Sequence, residues 1–563
     1  MDDAKGPLLA VCLFFLFGST VLGSCTADTS DDPVAQENAD NNIVTLNTEQ
    51  NMDVVYTTDY QTEIDLTLQD YKDNNIYTLE DPLMVANPYG TNTTGLYVYF
   101  TTETPVKISY TVSADGYSDF SRELYGEYST EHESLLIGMI PDTLNTITLT
   151  AVDEEGNTVG TREIEYQTSP LLGSAENVQL EVTKGESSAE LSDGLYTMLG
   201  NRTGEDNEQT DYILLYDNNG TLRSEIPIKS YRACNILFDN SCMYYSTSAD
   251  EIAVMDSTGQ LLTVYSMGDY QLHHDYIFGS ENDLLVLASQ EDAETEEDRI
   301  LSVDLDSGTV TELIDLADLF GDYLDSLTAD ETAATSTDSA GADSNGSDSA
   351  QTEDEPLDWM HINSIRLIGE DSIIISSRET STIIKIDDIY GEPVVDYMIG
   401  SGQFWEESGY DSLLLEQAGD FSLQAGQHCV EYETSGELED GQYYLYFYNN
   451  NNAVCDTRGY DYSSDDSYSG TYSGTEGGES YYYKYLVDEN ERTFELIEQI
   501  PVTYSGYVSS VQQTGNNLLI DSGSAFTAVE LDENNTPVQT LAGTGDTWWY
   551  RVFKYDYSGF WFE

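Results

Sequence analysis

Basic side chains are scarce in this chain. Its 563 residues include 19 Lys and Arg against 105 Asp and Glu, a formal net charge of −86. Nucleic-acid binding through phosphates needs Lys and Arg to displace counterions, so that class is excluded. Attraction to anionic headgroups through surface charge is excluded in the same way. There are only five His and six Cys, so the position of each is informative. The cysteines show no CxxC and no zinc spacing. A P-loop, a GxGxxG after a strand, a GxSxG elbow and an HExxH helix are all missing. Helical periodicity is nearly absent. High acidity can signal disorder, but 11% of residues are aromatic and 39% apolar, enough to build cores. The length suggests more than one domain.

The one long apolar run, residues 7–23, has 17 residues. It is short for a membrane span and fits a secretory h-region, which predicts a signal peptide over 1–24. Leu22-Gly23-Ser24-Cys25 resembles a bacterial lipobox, so Cys25 is the expected lipidation site. Residues 25–49 then read as an acidic, structureless tether. The expected location is exported and extracytoplasmic, lipid-anchored to the cell membrane and touching it through that anchor only. An exported chain meets oxidants, which permits local disulfides Cys234–Cys242 and Cys429–Cys455.

What is abundant is strand patterning. Between 50 and 168, runs such as 95–102, 106–114, 134–140 and 146–152 alternate with turns and predict a β-sandwich. From 169 to 563 a strand, an acidic or Asn/Gly turn and another strand recur six times, with Asp217, Asp256, Asp306, Asp387, Asp488 and Asp532 in the turns. Two long gaps hold insertions, a disordered one at 329–355 and a Gly/Ser/Tyr-rich one at 456–480. With these removed, most spacings fall near the ~40–50 residues of a propeller blade. The expected fold is all-β, a six-bladed β-propeller preceded by a small Ig-like β-sandwich.

Four of the five histidines fall in three short segments, Leu272–Asp275, Asp358–Asn363 and Gly426–Cys429. Each stands at the same register, just before a polar turn and strand. The first strand of a blade lines the central channel, so these segments should converge on one axis. Alternation puts Asn363 on the face of His361 and turns Cys429 away from that of His428. Register favours His274 as the channel residue, with His273 at the strand entrance. Arg378 ends a strand in the same blade as His361. A forked guanidinium beside imidazoles makes a pocket for a tetrahedral sulfate or phosphate. The imidazoles show no acid ligands at metal spacing in the sequence, so no metal and no cofactor are expected, with a three-His zinc site as the alternative.

At these residues the chain resembles the bacterial aryl-sulfate sulfotransferase family. The similar segments are HHD (273–275), DWMHINSI (358–365), IIISSR with STIIKID (373–387) and GQH (426–428). In the amino-terminal part NPYGT (87–91), GMIPD (138–142) and NTITLT (145–150) are also similar. The resemblance implies transfer of a sulfuryl group from an aryl sulfate ester to another phenol, without a nucleotide donor. It implies a ping-pong mechanism with His428 as nucleophile, forming a sulfohistidine. His274, His361 and Arg378 would bind the sulfuryl oxygens, with His273 and Asn363 as further substrate contacts. A homodimer is also implied. The family commonly has an acidic residue after the nucleophile, where this chain has Cys429. A competing reading is a non-catalytic ligand- or partner-binding propeller lipoprotein at the cell surface. A sulfatase is a third, disfavoured by the missing Cys/Ser-x-Pro-x-Arg motif.

Overall fold

An acidic residue followed by small polar residues folds the backbone into a turn by accepting N–H groups ahead of it. Asp217 Oδ1 accepts from Asn219 and Thr221 at 2.8 and 3.1 Å. Asp256 Oδ1 accepts from Thr258 and Gln260 at 2.9 and 3.1 Å. Asp532 Oδ1 accepts from Asn534 and Thr536, both at 2.9 Å. In two other blades a neighbour of the predicted acid does this, Asp304 for Asp306 and Asp388 for Asp387. All six turns join the third and fourth strands of a four-stranded antiparallel unit. The structure, a computed structural model, describes residues 38, 42–173, 175–200, 210–230, 233–330, 356–406, 408–472, 478–545 and 548–563. Within them the six units form a six-bladed β-propeller.

Six inner strands, one per blade, surround the axis: β1 (Ile236–Asp239), β2 (Tyr270–Phe278), β3 (Ile362–Ile368), β4 (His428–Glu433), β5 (Ser510–Thr514) and β6 (Arg551–Tyr555). The ring closes at both chain ends. The carboxy-terminal β6 is the inner strand of the blade formed by Leu195–Leu199, Asp211–Tyr216 and Leu222–Ile228. Glu181–Lys184 adds a strand to the outer edge of the blade begun by β5.

The Ig-like domain is built around one long strand, Leu96–Ser113. Its first half pairs with Leu83–Ala86 and Ser129–Leu136, its second with Phe120–Glu123 and Leu144–Val152. The predicted tether is structured at its end: Ile43–Thr45 pairs in parallel with Met84–Ala86, because buried Ile43 belongs to the sheet core. A 17-residue helix, Thr58–Asn74, also departs from the near-absence of helical periodicity. Its buried residues are only Gln61, Ile64 and Leu68, so the apolar stripe is too thin to register. Gln61 joins the two domains, its Oε1 accepting the N–H of Leu261 at 3.2 Å. The signal peptide, Cys25 and most of the 329–355 insertion lie outside the described residues. No helix among the described residues is long and apolar enough to cross a membrane.

The 456–480 insertion is folded over most of its length. Tyr462 and Tyr468 are buried in the core beside Trp359, Phe404 and Trp405. The local disulfides that the sequence permits are not formed; Cys234, Cys242, Cys429 and Cys455 are all unbridged. The Cys429 thiol instead approaches the backbone oxygen of Val511 at 3.6 Å and Glu431 Oε1 at 3.5 Å.

Candidate functional site

The three histidine segments enter β2, β3 and β4 at matching irregularities. Pairing with the second strand of each blade slips between Leu272 and Tyr276, between Ile362 and Ser364, and between His428 and Glu431. His274, His361 and Cys429 have φ of 53°, 47° and 54°, a left-handed backbone that non-glycine residues seldom adopt. A bulge of this kind re-aims side chains at a strand end and is common beside active sites. It also breaks the alternation assumed from sequence.

His428 is buried, and its ring is oriented by its own segment. Nδ1 lies 3.0 Å from Gly426 O and 2.8 Å from Asn450 Oδ1. Asn450 Nδ2 donates to Ser505 O and Val508 O at 2.8 and 3.0 Å, which fixes the amide so that Oδ1 faces the ring. With two acceptors around it, Nδ1 must carry the hydrogen, and Nε2 keeps the lone pair. Burial holds the ring well below the usual imidazole range, helped by the charges of Arg378, His274 and His361. Gly426 is required by its backbone: φ is +58°, and a Cβ there would sit 2.5 Å from Asn452 O.

His274 and His361 meet over one carboxylate. Their ring centroids are 4.9 Å apart. Glu297 Oε2 lies 2.9 Å from His274 Nε2 and 3.0 Å from His361 Nδ1. His361 Nδ1 is also 2.5 Å from Asp358 Oδ2, and His274 Nδ1 is 2.9 Å from the Tyr550 hydroxyl. Burial disfavours a charged His361, but Asp358 and Glu297 outweigh it and raise its pKa well above the usual value. Burial likewise works against the Glu297 carboxylate, yet His274, His361 and His273 hold it well below the usual range. Glu297 and Asp358 are thus acid groups at metal spacing from the imidazoles, contrary to the sequence reading. His273, His274 and Glu297 form one set with donor atoms within 4.8 Å of one another, and Glu297, Asp358 and His361 form a second.

Arg378 is half-buried, its backbone N–H donating to His361 O at 3.1 Å. Its charge acts on both His361 and His428. Behind it the buried Glu379 carboxylate accepts from Thr457 N and Oγ1, each at 2.8 Å, and so ties the 456–480 insertion to the site. Burial pushes this carboxyl up to about 7.

The structure thus groups His274, His361, His428 and Arg378. His273 is buried with its ring 5.0 Å from that of His274. Asn363 is fully buried, and its Nδ2 donates to Gln427 O at 2.8 Å, tying β3 to the start of β4. Sequence reasoning missed Glu297, Asn450, Tyr550 and Glu379. Only Asn450 had a local signal, the unusual run Asn449–Asn452 at a strand end.

The family model for Arylsulfotransferase (ASST) matches residues 181–550, and that for the Arylsulfotransferase Ig-like domain matches 83–169. The chain belongs to the arylsulfotransferase family. Membership supports aryl sulfate sulfotransferase activity, with an aryl sulfate donor and a phenol acceptor. No curated protein matches the chain. Among solved structures, an auxiliary nutrient binding protein from Bacteroides thetaiotaomicron VPI-5482 aligns at 9% identity over 82% of this chain and 88% of its own, with a TM-score of 0.30. Kluyvelomyces marxianus Hsv2 aligns at 10% identity over 75% and 92%, with a TM-score of 0.27. Likenesses this weak bear on neither fold nor function. The arylsulfotransferase assignment rests on the two family matches.

Proposed function

We propose that the chain moves a sulfuryl group between phenols in two steps through His428. The observation that supports this best is the His428 ring, whose Nδ1 hydrogen is committed to Gly426 and Asn450. Its Nε2 lone pair is therefore available as a nucleophile at neutral pH. In the first step Nε2 attacks sulfur, an N–S bond forms, and the ester S–O bond breaks to release phenoxide. In the second, the oxygen of an acceptor phenol attacks sulfur, the N–S bond breaks and the acceptor gives up its proton. The Arg378 guanidinium and the Nε2 edge of His361 face the sulfuryl oxygens, where charge accumulates. His274, held between the Tyr550 hydroxyl and the Glu297 carboxylate, relays a proton through the Tyr550 hydroxyl to the leaving phenoxide and takes it back by the same path from the acceptor.

The test mixes the protein with p-nitrophenyl sulfate. Without acceptor, a burst of one equivalent of nitrophenol is expected, with one SO3 group retained on His428 by mass spectrometry. Phenol should then restore turnover. His428→Ala should lower kcat by about 10^3-fold or more, as loss of a nucleophile does. Steady release without phenol would mean a sulfatase, and no release at all a binding propeller. Export and lipid anchoring through Cys25 belong to the same proposal. Labelled palmitate should enter the wild-type chain and not Cys25→Ser.

A further inference from the structure

Arg378 stands at the start of a turn that three parts of the molecule hold. Residues 378–381 join the second and third strands of the blade begun by β3, and Ser381 N donates to Arg378 O at 3.1 Å. At the start of the turn the Arg378 N–H reaches His361 O at 3.1 Å. In its middle the buried Glu379 accepts both the N–H and the hydroxyl of Thr457 on one oxygen, Oε1, each at 2.8 Å. The Tyr462 hydroxyl donates to Glu379 O at 3.3 Å. At the end of the turn Ser381 Oγ accepts from Gly426 N, and Ser381 O from Gln424 Nε2, both at 3.0 Å. Gly426 O in turn lies 3.0 Å from His428 Nδ1. Ser381 has a left-handed φ of 50°, which a non-glycine residue keeps where its surroundings fix it. One turn thus touches the segments of His361 and His428 and the 456–480 insertion.

The anchor on the insertion side is itself fixed. Next to Thr457, Arg458 Nη1 donates to Phe404 O at 2.8 Å, and its guanidinium lies 4.7 Å from the centre of the Phe404 ring. Tyr462 and Tyr468, a few residues on, are buried. Because both Thr457 donors converge on Oε1, they hold the Glu379 side chain whether or not its other oxygen carries a proton. We propose that Thr457 and Glu379 are positioning residues that set the reach of Arg378 into the sulfuryl site, so that the start of the insertion completes the site from behind. A guanidinium fork on a long, flexible stem acts on a sulfuryl group only from a fixed backbone position. A misplacement of about 1 Å can cost about 10^2-fold in rate. Thr457 and Glu379 act through Arg378 and not on the reacting atoms. The inference rests on the proposed transfer for the role of Arg378, and on the hydrogen bonds of the turn for the rest.

The test is a double-mutant cycle on the full chain with p-nitrophenyl sulfate and phenol. Thr457→Val removes the hydroxyl and keeps the N–H and the side-chain shape. It should lower kcat/KM by about 10-fold, within the cost of a misplaced group. Thr457→Ser keeps the hydroxyl and should recover most of that loss. In the Arg378→Ala background Thr457→Val should cost nothing further, because the group it positions is gone. Equal losses in both backgrounds would mean that Thr457 only packs the insertion, and no loss in the wild-type background would mean that it does not act on the site; either overturns the proposal. Inorganic sulfate, titrated by calorimetry, carries the same test without turnover. Thr457→Val should bind it more weakly than wild type, and Thr457→Ser should bind it more tightly than Thr457→Val. Where nitrophenol is released the cycle decides. Where it is not, the transfer reading fails and sulfate decides: the expected order of affinities leaves the positioning role standing, whereas equal affinities, or a wild type that binds no sulfate, overturn it.

Discussion

Two tiers of side chains share the same inner strands, one or a few residues apart. His274, His361, His428 and Tyr550 form a reactive tier, with Arg378 and Glu379 at its edge. Their chain neighbours Asp275, Arg366, Glu431 and Arg551 form an ionic tier. In the ionic tier each charge has its counter-charge. Asp275 binds Arg551 at 2.9 Å and Arg366 at 2.6 Å, and accepts from Asn235 at 3.1 Å. Arg366 also pairs with Glu431, and Arg551 donates to Asn363 O at 3.1 Å. Burial raises the cost of the Asp275 charge, but the two guanidinium groups still hold its pKa below the usual value. The reactive tier has the opposite character, with a lone pair on His428 and one carboxylate, Glu297, shared by two imidazoles. The bulges that turn β2, β3 and β4 at His274, His361 and Cys429 let adjacent residues serve these two ends. A saturated network beneath a reactive one holds the strand ends in place without using their chemistry.

The comparison breaks most visibly at Asp275. Asp275→Asn leaves two buried guanidinium groups without their shared carboxylate. Loss of one partner of a buried ion pair costs about 3–5 kcal/mol, read by urea denaturation. The chemistry of the fraction that stays folded should be nearly unchanged, with kcat close to wild type. A kcat loss at unchanged stability would show that the tiers are not separate. Arg378→Ala tests the other tier. It should lower kcat by about 10^2–10^3-fold, about 2.7–4 kcal/mol of barrier, with little loss of stability. A kcat for Arg378→Lys close to wild type would show that charge alone suffices and that the fork is not needed.

The two tiers were unequally legible in the sequence. The Asp turns that count the blades are local chemistry, so Asp217, Asp256 and Asp532 announce themselves within five residues. The histidines stood out through scarcity. Glu297 lies in the acidic run 291–298 of a chain with 105 acids, and Tyr550 is one of 43 tyrosines, so neither carries a local mark. Their roles come from contacts made across long sequence separations, 276 residues between His274 and Tyr550. Asn363 was placed on the face of His361 by alternation, which a left-handed residue at His361 does not preserve. Cys429, at the position where the family commonly has an acid, lies next to the ionic tier. Burial pushes its thiol up to about 12, so it contributes volume there rather than charge.

The smallest expected effect separates two buried carboxyls. Asp275 has two cations, whereas Glu379 has the N–H and hydroxyl of Thr457. Burial therefore raises Glu379 from its usual value of 4.5 to about 7. The folded chain binds this proton more tightly than the unfolded chain does. Its stabilising contribution is complete below about pH 4.5, declines as the pH rises, and is gone above about pH 7. A shift of this size corresponds to at most about 3 kcal/mol. Glu379→Gln mimics the protonated form, so it should remove this decline and leave the variant more stable than wild type at pH 8. Denaturation midpoints of both proteins at pH 5 and pH 8 decide the matter. If the two proteins lose stability in parallel between those values, Glu379 is ionised throughout, and the reactive tier contains a neutralised carboxylate just as the ionic tier does.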